Sequence, residues 1–150
     1  VIAGAELLKA DFGVEADIWS CPSFNLLHRD AIEVERFNRL HPLEAEKVPF
    51  VTSQLQGHDC PVIAATDYIR SYADRIRAYI PNDYHVLGTD GFGRSDSRAN
   101  LRRFFEVDRY NVAVAALSAL AEQGKVSKET VQQAIEKYGI NADVAPSWKR

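Results

Sequence analysis

Between Tyr84 and Asp108 the chain sets glycines, acids and arginines at a spacing that can hold an anion or a partner's carboxylates. Gly88, Gly91 and Gly93 follow an apolar run, with Asp90, Arg94, Ser95, Asp96, Ser97 and Arg98 among or just after them. A strand, a glycine turn and a helix start are the parts with which α/β proteins present backbone N–H donors at a sheet edge. Arg94, Arg98 and Arg102 recur at i, i+4 and i+8, which puts them on one helix face with about 6 Å of rise between neighbours. Guanidinium groups so arranged suit polyphosphate or carboxylate. Asp90, Asp96, Glu106 and Asp108 lie close enough in sequence to neutralise them, so a salt-bridged or interdomain face is expected ahead of a ligand site.

The loop is neither a dinucleotide fingerprint nor a P-loop. Asp96 stands where the third glycine of G-x-G-x-x-G belongs, and no Gly-Lys-Ser/Thr occurs. A tight turn whose glycines supply positive φ, or a contact with another domain, accounts for it. Asp90, Gly91, Gly93, Arg94, Ser95 and Arg98 are therefore the candidate interdomain or anion contacts.

His28, His41, His58 and His85 show no metal or protease spacing. Cys21 and Cys60 each precede a proline and read as buried structural thiols beside strand ends. No Ser–His–Asp set, metal cluster or nucleophile elbow assembles, so no residue is assigned a catalytic, cofactor-binding or metal-ligating role.

The loop needs a scaffold, and local signals supply one. Val1, Ala5, Leu8 and Phe12 recur at helical spacing and Gly13 ends the run. Ala16 to Ser20 reads as a strand. Ser23 can cap a helix whose apolar stripe is Phe24, Leu27, Ala31, Val34, Phe37 and Leu40, stopped by Pro42. A short helix is expected within Val48 to Leu55, a strand buried on both faces from Pro61 to Thr66, and a helix from Asp67 to Tyr79. The strand Tyr84 to Thr89 feeds the glycine loop, and Ser95 or Ser97 opens the next helix. Asp108 can cap Arg109 to Gln123, closed by Gly124; Ser127 can cap a last helix ended by Gly139. Asn141 to Arg150 reads as a surface terminus.

Strands alternating with helices imply parallel pairing through right-handed crossovers. The expected class is α/β: a three-layer, mostly parallel sheet flanked by helices, with a helical C-terminal cap. Three strands are visible, and a fourth is expected ahead of Val1.

At 150 residues, residues 1–150 make a single domain with room for a core. The composition, 46% hydrophobic and 26% charged, is that of a globular protein, and a formal charge of −3 argues against a general nucleic-acid binder. No apolar run reaches membrane-spanning length. Nothing resembles a signal peptide, so a reducing cytoplasm is expected. Methionine is absent throughout, which suggests a fragment of a longer chain.

Several stretches resemble the C-terminal domain of the homodimeric bacterial type of pyruvate dehydrogenase, a thiamine-diphosphate-dependent family. They are Asp17-Ile-Trp-Ser-Cys-Pro-Ser-Phe24, Glu35-Arg-Phe-Asn-Arg-Leu-His-Pro-Leu-Glu44, Ala65-Thr-Asp-Tyr68, Gly88-Thr-Asp-Gly-Phe-Gly-Arg-Ser-Asp-Ser-Arg98 and Phe105-Glu-Val-Asp108. The resemblance implies a transketolase-like third domain with a mostly parallel sheet. It implies a parent that decarboxylates pyruvate and acetylates a lipoyl group, with thiamine diphosphate and magnesium bound by its N-terminal and middle domains. The partners it implies are those domains, a second subunit and the dihydrolipoyl acetyltransferase component. The family's metal signature, Gly-Asp-Gly followed by Asn, is replaced here by Thr89-Asp90-Gly91 with no matching asparagine, and none of its catalytic histidines is carried over. On this reading the piece is a structural, dimer-supporting domain, inactive alone, with its contacts along the glycine loop and Arg94 stripe. A free-standing anion- or nucleotide-binding regulatory module is the alternative.

Overall fold

Hydrogen-bonding side chains and left-handed glycines set most element boundaries in the computed structural model, which describes residues 1–150. Helix α1 (Ile2–Phe12) ends on Gly13, whose φ of 66° lets its N–H reach the Leu8 and Lys9 carbonyls. Ser23 caps α2 (Phe24–Leu40) by accepting from the Leu26 N–H at 3.1 Å. After the short α3 (Phe50–Leu55) come strand β1 (Val62–Ala65), α4 (Arg70–Asp74), a 3₁₀ turn (Arg77–Tyr79) and strand β2 (Tyr84–Leu87). Three helices follow: α5 (Arg98–Phe104), α6 (Arg109–Glu122) and α7 (Lys128–Lys137). Ser97, Asp108 and Ser127 cap them in turn, and a second 3₁₀ turn (Ser147–Lys149) lies near the end.

The sheet consists of β1 and β2, paired in parallel with Val62 opposite Tyr84 and Ala65 opposite Leu87. Val62, Ala64, Tyr84 and Val86 pack with Val51, Ile76 and Ile80, below α2, α3 and α4. The period of two sends Ile63 and His85 to the opposite face, where α6 lies against both strands. Three layers result: α2 to α4, the sheet, then α6 with α1 and α7 beside it.

Two expected elements change. Ala16 to Ser20 is not a strand; all five residues are exposed coil. A strand needs a partner for its N–H and C=O groups, and β1 is paired on one edge only, by β2. The helix expected from Asp67 to Tyr79 starts three residues late and breaks after Asp74 ahead of the 3₁₀ turn; at its start tertiary bonds hold Asp67 and Tyr68 out of the helix. Tyr68 O accepts from the Thr89 N–H at 2.9 Å, and Asp67 O from Thr89 Oγ1 at 2.8 Å. β1 is also half-buried along its length rather than covered on both faces. Cys60 is exposed, contrary to expectation, whereas Cys21 is half-buried and its burial pushes the thiol pKa up. No helix is long and apolar enough to cross a membrane.

A second cluster joins Leu8 of α1, Ala113 and Leu117 of α6, and Ala134 and Tyr138 of α7. Its rim is polar. Tyr138 Oη donates to Asp11 Oδ2 at 2.9 Å, and Lys137 Nζ lies 2.7 Å from Asp11 Oδ1. The Lys137 hydrogen bond, then that of Tyr138, holds the Asp11 carboxyl below its ordinary value, with burial acting the other way. A carboxyl depressed by folding contributes stability that is fully present above its unfolded value, about 3.9, and is lost as pH falls through the folded value. Asp11→Asn is therefore expected to be less stable than the parent at pH 7, and the gap should close below about pH 4. Urea titrations at pH 7 and pH 3 check this; a gap that does not narrow removes Asp11 from the account.

Candidate functional site

The three loop glycines are there for different reasons. A Cβ on Gly88 would sit 2.8 Å from both Arg70 N and Tyr68 O, so this position must be bare for the loop to pass the α4 entrance. Gly91 has a φ of 111°, which a side chain rarely adopts, and a Cβ there would meet the Trp148 backbone at 3.1 Å. Gly93 is open to solvent, with no neighbour within 4 Å and no positive φ.

Asp90 faces inward. Its Oδ1 accepts from the Arg70 N–H at 3.0 Å and its Oδ2 lies 3.2 Å from Arg70 Nε. Asp96 turns back on its own chain, accepting from the Ser97 N–H at 2.6 Å and from Asn100 Nδ2 at 2.8 Å. Those bonds, Asn100's first, pull its carboxyl below the ordinary range. Ser97, not Ser95, is the helix cap, accepting from the Asn100 N–H at 3.3 Å. Of the N–H groups that open α5, that of Asn100 is thus taken by the chain's own Ser97.

Arg94 consequently precedes the helix, and only Arg98 and Arg102 share its face. The guanidinium of Arg94 rests 4.2 Å from the centre of the Phe104 ring. The salt-bridged face expected from the sequence does not form, because each nearby acid is engaged elsewhere. Asp90 holds Arg70, Asp96 holds Ser97 and Asn100, Glu106 pairs with Arg150 at 3.1 Å, and Asp108 caps α6. No carboxylate lies within ion-pair distance of Arg94, Arg98 or Arg102. Phe92 is 88% exposed. Phe92, Arg94 and Arg98 thus all face solvent along one stretch of chain, while Asp90 and Gly91 pack inward against Arg70 and Trp148.

The last residues lie at the surface as expected, but their end is tied to the glycine loop. Ser147 is buried and its hydroxyl donates to Asp90 O at 2.6 Å. Arg70 lies 5.5 Å from the centre of the Trp148 ring, and Arg150 Nη2 donates to Phe104 O at 3.0 Å. The lone tryptophan of this tail, Trp148, is the sequence signal that the segment docks.

Elsewhere, a groove of about 650 Å³ runs along the free edge of β2 between α4 and α6. Its charges are already spent, since Arg77 pairs with Asp74 and donates to Tyr84 O at 2.6 Å. The residues here do not fit a magnesium–diphosphate group. Asp90 and Asp96 are both engaged, Thr89 Oγ1 donates to Asp67 O, and no three His, Cys, Asp or Glu side chains gather. What the geometry can do is offer an apolar tip and unpaired cations to another surface.

The family model for the transketolase-like TK C-terminal domain matches residues 1–108. The chain is 55% identical over 141 residues to the pyruvate dehydrogenase E1 component of Cupriavidus necator. It is 56% identical over 140 residues to that of Pseudomonas aeruginosa, and 51% over 140 to that of Escherichia coli strain K12. These alignments take in 93–94% of this chain but only 16% of each relative's length. With the family model covering well over half of its residues, the chain belongs to the transketolase-like C-terminal domain family.

Proposed function

We propose that this chain is the C-terminal domain of a pyruvate dehydrogenase E1 component and serves it as a structural, dimer-supporting unit. The parent would decarboxylate pyruvate and pass the acetyl group to the lipoyl group of a dihydrolipoyl acetyltransferase partner in the cytoplasm. Thiamine diphosphate and magnesium would be held by the N-terminal and middle domains, because the donors here do not suit them. The observation that carries this reading is 55% identity, sustained over 94% of the chain, to an E1 component of which it spans only 16%.

The exposed edge supplies the physical role. A large apolar side chain facing water gains by being covered, and hydrated guanidinium groups with no counter-ion on their own chain are free to pair with carboxylates of another surface. Asp90, Gly91, Gly93, Arg94, Ser95 and Arg98 then serve as an interdomain contact, the first two from within and Arg94 and Arg98 by direct pairing with carboxylates across the interface.

Alanine at both Arg94 and Arg98 in the full-length enzyme tests it. Each lost interfacial ion pair is worth about tenfold in affinity, so sedimentation should show a dimer at least about tenfold weaker, with activity falling in step. Unchanged dimerisation and activity would overturn the role. Titration of the domain with acetyl-CoA, nucleotides and thiamine diphosphate should show no saturation; a saturable nucleotide would favour the regulatory-module reading instead.

A further inference from the structure

The segment Pro146–Arg150 touches the loop–α5 unit at both of its ends. At the near end, Ser147 Oγ donates to Asp90 O at 2.6 Å and the Trp148 backbone fills the space beside Gly91. The Trp148 ring lies by the guanidinium of Arg70, which itself pairs with the Asp90 carboxylate. At the far end, Arg150 donates to Phe104 O and pairs with Glu106 at 3.1 Å. Glu106 is the one non-glycine residue with positive φ, at 59°, so Arg150 ties down a strained turn.

The two ends share a ring. Arg94 and Arg150 both lie over Phe104, at 4.2 and 4.7 Å from its centre. Arg150 has Glu106 as counter-ion, while Arg94 has none. The far end of the tail thus helps set where the unpaired Arg94 points.

We infer that Pro146–Arg150 is a strap that sets the conformation of the glycine loop and of the turn after α5, and so governs how Phe92 and Arg94 are presented. The strap itself stands on these contacts alone; its consequence for assembly rests on the docking role proposed above. Release of five residues would loosen the loop base and the turn together, without disturbing the β1–β2 pairing.

Hydrogen exchange on the full-length enzyme carrying Trp148→Ala and Arg150→Ala tests this. The amides of Arg70 and Thr89 at the loop base, and of Phe105, Glu106 and Val107 in the turn, are all hydrogen-bonded. They should exchange at least about tenfold faster once the strap is cut, while Val62 and Thr66, bonded across the sheet, hold their rates. Unchanged exchange at the loop base and turn would overturn the strap, as would equal loosening of the sheet. Gly91→Ala attacks the same contact from the other side, and should deprotect the Lys149 amide that now donates to Pro146 O at 2.8 Å; retained protection there would also overturn it. Fast exchange with an unweakened dimer would leave the strap standing and remove the docking role. Slow exchange with a dimer still weakened by the Arg94 and Arg98 substitutions would do the reverse.

Discussion

Gly88→Ala is expected to lower the unfolding free energy of the chain by about 2 kcal/mol or more, while Gly93→Ala is expected to leave it level or raise it slightly. The atoms a methyl at residue 88 would strike are backbone, Arg70 N and Tyr68 O at 2.8 Å and Arg70 Cα at 3.0 Å. Backbone of that segment has little freedom to yield. Tyr68 O takes the Thr89 N–H, Asp67 O takes Thr89 Oγ1, and Arg70 N–H is given to Asp90. Overpacking against such atoms costs about 3 kcal/mol. Against it stands at most about 1 kcal/mol from the reduced freedom of the unfolded chain, since φ here is not positive. At Gly93 only that favourable contribution applies, with nothing within 4 Å. Paired urea titrations of the two variants decide the matter. Equal stability would mean that the loop does not press on the α4 entrance.

The contrast shows which parts of this fold are written locally. Ser23, Ser97, Asp108 and Ser127 each cap the helix that follows them, and Gly13, Gly124 and Gly139 adopt the left-handed conformation that closes one. Those assignments need only a side-chain oxygen and the next turn of backbone, so the sequence displays them. The Phe24–Leu40 stripe and the apolar run of β1 are legible for the same reason. Ala16 to Ser20 misleads because strand composition does not disclose whether a partner strand lies alongside. The late start of α4 is settled by Thr89, more than twenty residues downstream.

The candidate site divides in the same way. Its glycines and arginines are visible as a motif, and Phe92, Arg94 and Arg98 are all exposed. The fate of two of the acids is not visible, because their partners are distant in sequence: Arg70 lies 20 residues before Asp90 and Arg150 lies 44 after Glu106. Proximity in sequence suggests neutralisation of the arginines; tertiary pairing instead withdraws Asp90 and Glu106, and local bonds hold Asp96 and Asp108, so the cations stay bare.

The largest loss of all is expected from Leu117→Ala. Leu117 is fully buried at 0% exposure, the one large side chain so enclosed, and it sits where α6 meets α1 and α7. Beside Leu8 in its cluster, Ala113 and Ala134 hold the helices close, and Tyr138 is tied to Asp11 through its hydroxyl. A site that cannot collapse leaves most of the vacated volume as a cavity, which places the cost at about 3–4 kcal/mol within the usual range for such truncations. With stabilities of about 5–15 kcal/mol in total, that is a large fraction, and it corresponds to a fall in Tm of about 6–16 °C for a domain of this size. The other cluster, around Val51, Ile76, Ile80 and Tyr84, shares no buried side chain with this one. Thermal unfolding followed by calorimetry, with urea titration for the free energy, measures both quantities. A loss below about 1 kcal/mol, far short of what a trapped cavity costs, would mean that α1 and α7 close in on α6 when the side chain is removed, and that the helical layer is held by its polar rim at Asp11, Lys137 and Tyr138 rather than by its core.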